Sequence, residues 1–262
     1  MPDVTLVDRG RVRADRGFVV DGDAMATAAD PEPEHERIDF VVWNAVVETA
    51  EATYLWDTGC PVDAAESWPE PLYATFEAYD ADDHGLEADL AAAGYDFGDI
   101  DAVVMSHLHM DHAGGLSAFE GTGTPVYVHE DELKYAFYSA KTAEGSVAYL
   151  ADDFDGDIDW QVVKRDRHTL ADGFELVHLP GHTPGVLGAK IETDDGTLLV
   201  AGDECYVHAN YAESVSLGPG LVWSEPAWRD SLETLRELER RHDADVLYGH
   251  DLERFETLAE TY

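Results

Sequence analysis

Three histidines and an aspartate stand close together in the stretch SHLHMDHAGG, residues 106–115. The chain has 12 histidines in 262 residues, so three at a fixed spacing would arise by chance in about one register in 10⁴. Imidazole and carboxylate groups together suit Zn²⁺, and also Fe, Co and Mn. The spacing therefore predicts a metal site that includes His107, His109, Asp111 and His112.

Other potential ligands follow predicted strands elsewhere in the chain. They are His182 after the strand 174–180, Asp203 at the end of 197–203, and His250 at the end of 244–251. Ligand sites in α/β architectures are usually built on loops of this kind. A single carboxylate can bridge two ions that lie about 3.5–4 Å apart. The seven side chains together therefore suit two clusters of ligands rather than one.

The motifs around these residues resemble those of the metallo-β-lactamase superfamily. SHLHMDH matches its H-x-H-x-D-H signature, and four further motifs follow or precede it in the family's order: DTG (57–59), LPGHTPG (179–185), GD (202–203) and GHD (249–251). The resemblance extends from about residue 38 to 255. It implies an αββα sandwich with the metals at one edge.

The resemblance also implies a role for each ligand. His107, His109 and His182 would hold the first metal, and Asp111, His112 and His250 would hold the second. Asp203 would bridge the two. The expected cofactor is a pair of divalent ions, with Zn expected first and Fe, Co or Mn as alternatives.

Within the superfamily, the sequence is most similar to the N-acyl homoserine lactonases. Classical β-lactamases usually lack the bridging aspartate that Asp203 supplies, and the oxygen-reducing diiron branch has a glutamate where this chain has His109. The lactonases have a tyrosine three residues after the bridging aspartate, as Tyr206 is here. The resemblance implies that the Tyr206 hydroxyl polarises the lactone carbonyl and that Asp111 passes a proton to the departing alkoxide.

Three other functions are compatible with parts of this pattern. A glyoxalase II-like thioester hydrolase would use the same metals, although its C-terminal helical region is not evident in this sequence. A redox enzyme with a single iron would depend on Fe and O₂. A binding module on an inactive enzyme would have lost ligands, whereas all seven are present.

The elements that position these residues alternate between strands and helices. This alternation predicts one α/β domain over residues 1–262, made of two sheet-plus-helix halves. Strands are expected at 18–20, 40–48, 52–59, 100–107, 124–130, 160–166 and 187–193, and a helix at 84–95. A long amphipathic helix is expected around four apolar residues at helical spacing: Trp228, Leu232, Leu235 and Leu238.

The segment 61–83 reads as a long irregular connection. Its aromatic residues either line a substrate pocket or anchor the connection to the core; they are Trp68, Tyr73, Phe76 and Tyr79. Asp57, in the DTG turn before this segment, is expected to orient a metal-bound imidazole through its second nitrogen.

The charge of the chain limits its partners. There are 16 basic and 56 acidic residues, for a net charge of −40, and such a field repels nucleic acid and anionic membranes. The neutral lactone that the resemblance implies as substrate is compatible with this charge. Acid-rich, lysine-poor composition is typical of halophilic proteins. Two distant cysteines and the absence of a recognisable signal peptide predict a cytoplasmic protein.

Overall fold

Eleven strands form two β-sheets in the computed structural model, which describes residues 1–262. The first sheet runs in the order β1 to β6: Asp3–Asp15, Arg37–Glu48, Thr53–Trp56, Ala102–Val104, Pro125–His129 and Asp159–Val163. The second runs in the order β11-β10-β9-β8-β7, and β7 to β11 are Arg167–Ala171, Phe174–His178, Leu187–Glu192, Thr197–Gly202 and Asp245–Tyr248. Strands β3 to β6 pair in parallel, as do β10 and β11, and all other pairs are antiparallel.

Nine α-helices accompany the sheets. In chain order, α1 to α9 are Ala64–Ser67, Glu70–Thr75, Leu86–Ala92, Met110–Ala113, Glu130–Lys141, Ala151–Phe154, His208–Ala212, Glu225–His242 and Leu252–Leu258. None of them combines the length and the apolar composition that a membrane span requires.

The two sheets face each other across a shared apolar core. Trp43 and Trp56 of the first sheet belong to the same buried cluster as Phe174, Leu187 and Leu198 of the second. Because side chains alternate between the faces of a strand, each sheet also has an outer apolar face. Helices α3 and α5 cover the outer face of the first sheet, and α8 covers that of the second. This order of layers confirms the αββα sandwich.

Helix α8 shows how the sequence specifies one of the outer layers. Its apolar residues recur at helical spacing, and Trp228 and Leu235 are buried against the second sheet, as predicted. Ser224 caps the helix start by accepting a hydrogen bond from the backbone N–H of Ala227. Asp243 ends the helix in a left-handed conformation with φ of 51°.

One strand expected from the sequence is absent and two strands were not expected. Residues 18–20, expected as a strand, lie at the end of a 3₁₀ helix, Arg16–Phe18, and in the turn after it. Asp15 accepts a hydrogen bond from the backbone of Gly17 and so favours this turn. The strands that the sequence analysis did not predict are β1 and β7.

The fold gathers the ends of several strands at one edge. Asp57 follows β3, His107 follows β4, and these strands are parallel neighbours. Asp203 follows β10 and His250 follows β11, which are parallel neighbours in the other sheet. Parallel strands end on the same side, so the loops from both sheets meet there.

Candidate metal centre

The first set of predicted ligands consists of three buried imidazoles. His107 and His109 lie on the loop between β4 and α4, and His182 lies on the loop after β8. The Nε2 atom of His182 is 2.9 Å from Nδ1 of His109. The ring of His107 is centred 4.7 Å from that of His109 and 4.9 Å from that of His182. The structure thus brings this set together as the sequence predicts.

The second set contains one carboxylate and two imidazoles. Asp111 and His112 lie in the single turn of α4, and His250 follows β11. The Nε2 atoms of His112 and His250 are 3.3 Å apart. The Oδ2 atom of Asp111 lies 3.8 Å from Nε2 of His112 and 3.7 Å from Nε2 of His250.

Asp203 lies between the two sets, and its carboxylate is close to imidazole nitrogens of both. Oδ2 is 3.7 Å from Nε2 of His107 and 3.6 Å from Nε2 of His182, in the first set. Oδ1 is 3.4 Å from Nε2 of His112 and 3.2 Å from Nε2 of His250, in the second set. Oδ2 is also 3.3 Å from Nε2 of His250, so it contacts both sets. Asp203 is completely buried, so its position is fixed by the fold.

Hydrogen bonds on the opposite side of each ring fix the orientation of three imidazoles. Nδ1 of His182 donates to the carbonyl of Leu221 at 2.5 Å, and Nδ1 of His250 donates to the carbonyl of Val41 at 2.8 Å. Nδ1 of His112 donates to Oδ2 of Asp57 at 2.9 Å, which is the role expected for Asp57. With the proton on Nδ1, the lone pair of Nε2 points into the site.

Ser106 completes this arrangement and was not predicted. Its hydroxyl donates to Oδ2 of Asp57 at 2.7 Å and lies 3.0 Å from Nδ1 of His107. The Ser106 oxygen can therefore accept a hydrogen bond from the Nδ1–H group of His107. The only sequence signal for this role was its place directly before the histidine cluster.

The donor atoms fit a pair of divalent cations. Nε2 of His107 and Oδ1 of Asp203 are buried and have no hydrogen-bond partner among the protein groups, although buried polar atoms are normally satisfied. Burial lowers the pKa of His107 and His109 well below the usual value, which keeps these rings neutral and able to bind a metal. Two ligand atoms about 2.1 Å from one tetrahedral ion lie roughly 3.4 Å apart, close to the separations around Asp203.

The ring of Tyr206 contacts one imidazole from each ligand set. Its ring is centred 4.7 Å from that of His250 and 5.4 Å from that of His182. Burial, together with the carboxylates of Asp203 and Asp111, raises the pKa of the Tyr206 phenol well above its usual value. The phenol therefore keeps its proton and can donate a hydrogen bond.

One cavity opens beside the first set of ligands, and a second cavity shares a lining residue with it. A pocket of about 180 Å³ is lined by His109 and His182 and extends to Gly220. Gly220 also borders an apolar groove of about 480 Å³. The groove walls include Phe18, Leu72, Phe76 and Leu221. A small polar head at the centre and an apolar tail in the groove would match this shape.

The aromatic residues of the connection 61–83 divide between the two expected roles. Phe76 lines the apolar groove. Trp68 is buried in a cluster with Met110, and Tyr73 packs on Trp68 with ring centres 6.3 Å apart, so these two anchor the connection. Tyr79 donates a hydrogen bond to Asp39 at the surface.

A second group of potential ligands lies outside the centre. The rings of His129 and His178 stack 3.7 Å apart at an angle of 14°, near Asp131. Stacked rings direct their nitrogen lone pairs along parallel planes, so the two do not converge on one ion. Nε2 of His178 donates to the carbonyl of Pro184, which ties the stack to the loop that carries His182.

Comparisons with known proteins agree with this geometry. A family model described as "Metallo-beta-lactamase superfamily" matches residues 37–250. The N-acyl homoserine lactonase AiiB of Agrobacterium fabrum is 29% identical over 268 residues, covering 98% of this chain and 96% of the relative. An N-acyl homoserine lactonase of a Bacillus species is 31% identical over 226 residues, covering 84% of each.

The fold is likewise similar to that of solved structures. One is an N-acyl homoserine lactone hydrolase with the product N-hexanoyl-L-homoserine bound at its catalytic metal center. It superposes with a TM-score of 0.79 at 24% identity, covering 97% of this chain and 95% of the other.

Proposed function

Because this chain belongs to the metallo-β-lactamase superfamily, we propose that it is a dinuclear metal-dependent hydrolase that opens the ring of N-acyl homoserine lactones. The observation that carries the proposal is the position of Asp203, whose carboxylate lies between the two ligand sets and within 3.7 Å of imidazole nitrogens of both. Two sets joined by one carboxylate are what a two-metal hydrolytic site requires. The two relatives described above are lactonases by name.

The proposed ligands follow the two sets. His107, His109 and His182 would hold the first ion, Asp111, His112 and His250 the second, and Asp203 both. Zn²⁺ is the ion we expect first, since all seven donors are imidazole or carboxylate groups, which Zn²⁺ binds, and a tetrahedral arrangement suits the first set. When bound, such a pair supplies Lewis acidity and makes hydroxide available near neutral pH.

Two side chains of the protein would stabilise the carbonyl oxygen and transfer the proton. In ring opening, the water oxygen bonds to the lactone carbonyl carbon, the ring carbon–oxygen bond breaks, and one proton moves to the departing ring oxygen. The Tyr206 hydroxyl would donate to the carbonyl oxygen, more strongly as negative charge develops on it. Asp111, at the edge of the second set, would carry the proton to the ring oxygen.

The charge and the cavities support a neutral substrate with an apolar tail. The net charge of −40 disfavours an anionic substrate such as a carboxylated thioester. The lactone would occupy the pocket beside His109 and His182, and the acyl chain would extend past Gly220 into the groove at Leu72 and Phe76.

We also propose that the enzyme functions in a cytoplasm of high salt concentration. The acid-rich, lysine-poor surface supports a halophilic host. Cys60 and Cys205 are both buried free thiols, which suits a reducing compartment.

A panel of substrates tests the reaction. Wild-type protein loaded with Zn²⁺ is assayed on N-acyl homoserine lactones, thioesters, β-lactams and phosphodiesters, with Asp203→Ala as the matched control. We expect lactone hydrolysis that is lost with the variant. Cleavage of thioesters in the absence of any lactonase activity would replace this proposal with the glyoxalase II-like function.

A further inference from the structure

Glu132 is a fully buried carboxylate in the first turn of α5 that the metal centre does not include. It accepts three hydrogen bonds from three separate segments. The backbone N–H of Leu108 donates to Oε1 at 2.9 Å, and the hydroxyl of Tyr149 donates to the same oxygen at 2.8 Å. The hydroxyl of Thr183 donates to Oε2.

Each of these donors is next to a ligand of the first set. Leu108 stands between His107 and His109, and Thr183 directly follows His182. The ring of Tyr149 packs against that of His109, with centres 4.4 Å apart and an angle of 57°. The Glu132 carboxylate is therefore hydrogen-bonded to a neighbour of each of the three imidazoles.

The local packing makes this contact specific. A side chain at Gly185 would place its Cβ 2.1 Å from the backbone nitrogen of Glu132, so only glycine allows the loop after His182 to approach α5 this closely. Glu132 forms no ion pair with a Lys or Arg residue. Its side chain accepts hydrogen bonds only from Leu108 and Thr183, on the two loops that carry ligands, and from Tyr149.

We propose that Glu132 is a positioning residue that assembles the first metal site by fixing the loops that carry His107, His109 and His182. The proposal goes beyond the proposed function, since it concerns how the site is held together whichever ester or thioester is hydrolysed. Asp57 has the corresponding task in the second set, where it bonds directly to His112. Asp57 also reaches His107 through Ser106, whereas the contacts of Glu132 are confined to the surroundings of the first set.

Metal binding without substrate tests this role. Metal-free wild type, Glu132→Leu and Glu132→Gln are titrated with Co²⁺, and the absorption bands of the bound ion report each binding step. Leu238→Ala is the matched control, because it opens a cavity in the core under α8 and lowers the melting temperature without approaching the ligands.

Loss of a group that orients metal ligands typically lowers metal affinity about 10–100-fold. We expect Glu132→Leu to weaken one of the two binding steps by roughly 100-fold and to leave the other near wild type. Glu132→Gln keeps an acceptor for Leu108 and should weaken the same step by about 10-fold. Leu238→Ala should bind both ions with wild-type affinity.

The proposal is overturned if the Glu132 variants lower the melting temperature as Leu238→Ala does and bind both ions normally. If Glu132→Leu does not fold, the Co²⁺ titration of Glu132→Gln is the test. Unchanged Co²⁺ affinity in that variant would then contradict the proposal. Because no substrate is present, an enzyme that fails on lactones can still give either result.

Discussion

The nitrogen atoms that face into the centre are available because the opposite nitrogens of the same rings are bonded. Val41 and Leu221 supply backbone carbonyls for this purpose, and Asp57 supplies a carboxylate. Backbone carbonyls cannot be removed by mutation, so two of these imidazoles are held by the fold itself.

At this scale the candidate ligands could be proposed from the sequence, whereas the groups that support them could not. His107, His109, Asp111 and His112 form a pattern that few other functions require. The contact of Glu132 with Thr183 joins residues 51 positions apart and leaves no pattern in the sequence. Long-range hydrogen bonds of this kind become visible only when the fold is known.

Replacing Tyr206 by phenylalanine tests the role of its hydroxyl. Phenylalanine keeps the ring that packs on His250, so metal content should be unchanged. The loss of one donor to a developing oxyanion typically lowers kcat by about 10²–10³, and a nearby metal can reduce this effect. The measurement is kcat and KM on a long-chain N-acyl homoserine lactone, with metals counted in both proteins. Wild-type turnover in Tyr206→Phe would make this residue a packing tyrosine.

Asp153 gives a prediction about pH. Burial, with the nearby carboxylates of Asp152, Asp63 and Asp111, raises the pKa of Asp153 to about 7, and its Oδ2 has no hydrogen-bond partner. A carboxyl whose folded pKa is raised contributes stability that is complete below its unfolded pKa of about 3.9 and is lost as the pH rises through 7.

Asp153→Asn should therefore melt at a higher temperature than wild type at pH 8, and the difference should shrink toward pH 4. Thermal melts of both proteins across this range, at constant high salt, measure it. An equal difference at every pH would show that ionisation of Asp153 is not the cause.

At the scale of elements, the loops after β10 and β11 approach each other closely enough to exclude a side chain. A Cβ added to Gly249 would lie 2.5 Å from Oδ1 of Asp203 and 3.0 Å from the carbonyl oxygen of Gly202. Glycine is required here because the two parallel strands deliver a carboxylate and a backbone to the same place.

Gly249→Ala should therefore displace Asp203 and reduce the metal content below two ions per chain. Overpacking of this kind also costs about 1–3 kcal/mol of stability. Gly98→Ala is the control, since no atom lies within 4 Å of the added Cβ, and it should keep full metal content. Elemental analysis of both variants gives the comparison, and two ions per chain in Gly249→Ala would contradict it.

The elements themselves were predictable where apolar residues recur regularly. The buried strands β4 and β10 and the helix α8 follow such patterns. Strand β1 was missed because its sequence, DVTLVDRGRVRAD, is rich in charged residues and its alternation shifts at a bulge between Asp8 and Arg11. It is an edge strand, and charged residues are common there.

At the scale of the whole molecule, the few basic residues are almost all used in pairs. Every lysine and arginine except Arg165 and Arg240 lies near a carboxylate. The excess of acidic groups therefore has no local compensation in the protein. Mutual repulsion among those groups opposes the folded state unless salt screens it.

The melting temperature should rise with KCl concentration. The Debye length falls from about 30 Å at 0.01 M to about 3 Å at 1 M, so repulsion between carboxylates is removed over this range. Thermal melts of metal-loaded protein from low to molar KCl measure the effect, with sucrose at matched osmolality as the control. A melting temperature that does not change with salt would contradict the halophilic interpretation.

The position of His250 in the chain determines when the centre can be completed during biosynthesis. The residues His107 to His112 leave the ribosome long before His250, which follows the last strand of the second sheet. His250 is also oriented by Val41, on a strand that is synthesised much earlier. A nascent chain therefore cannot complete the second ligand set in this arrangement until the strand that carries Val41 has met the loop that carries His250.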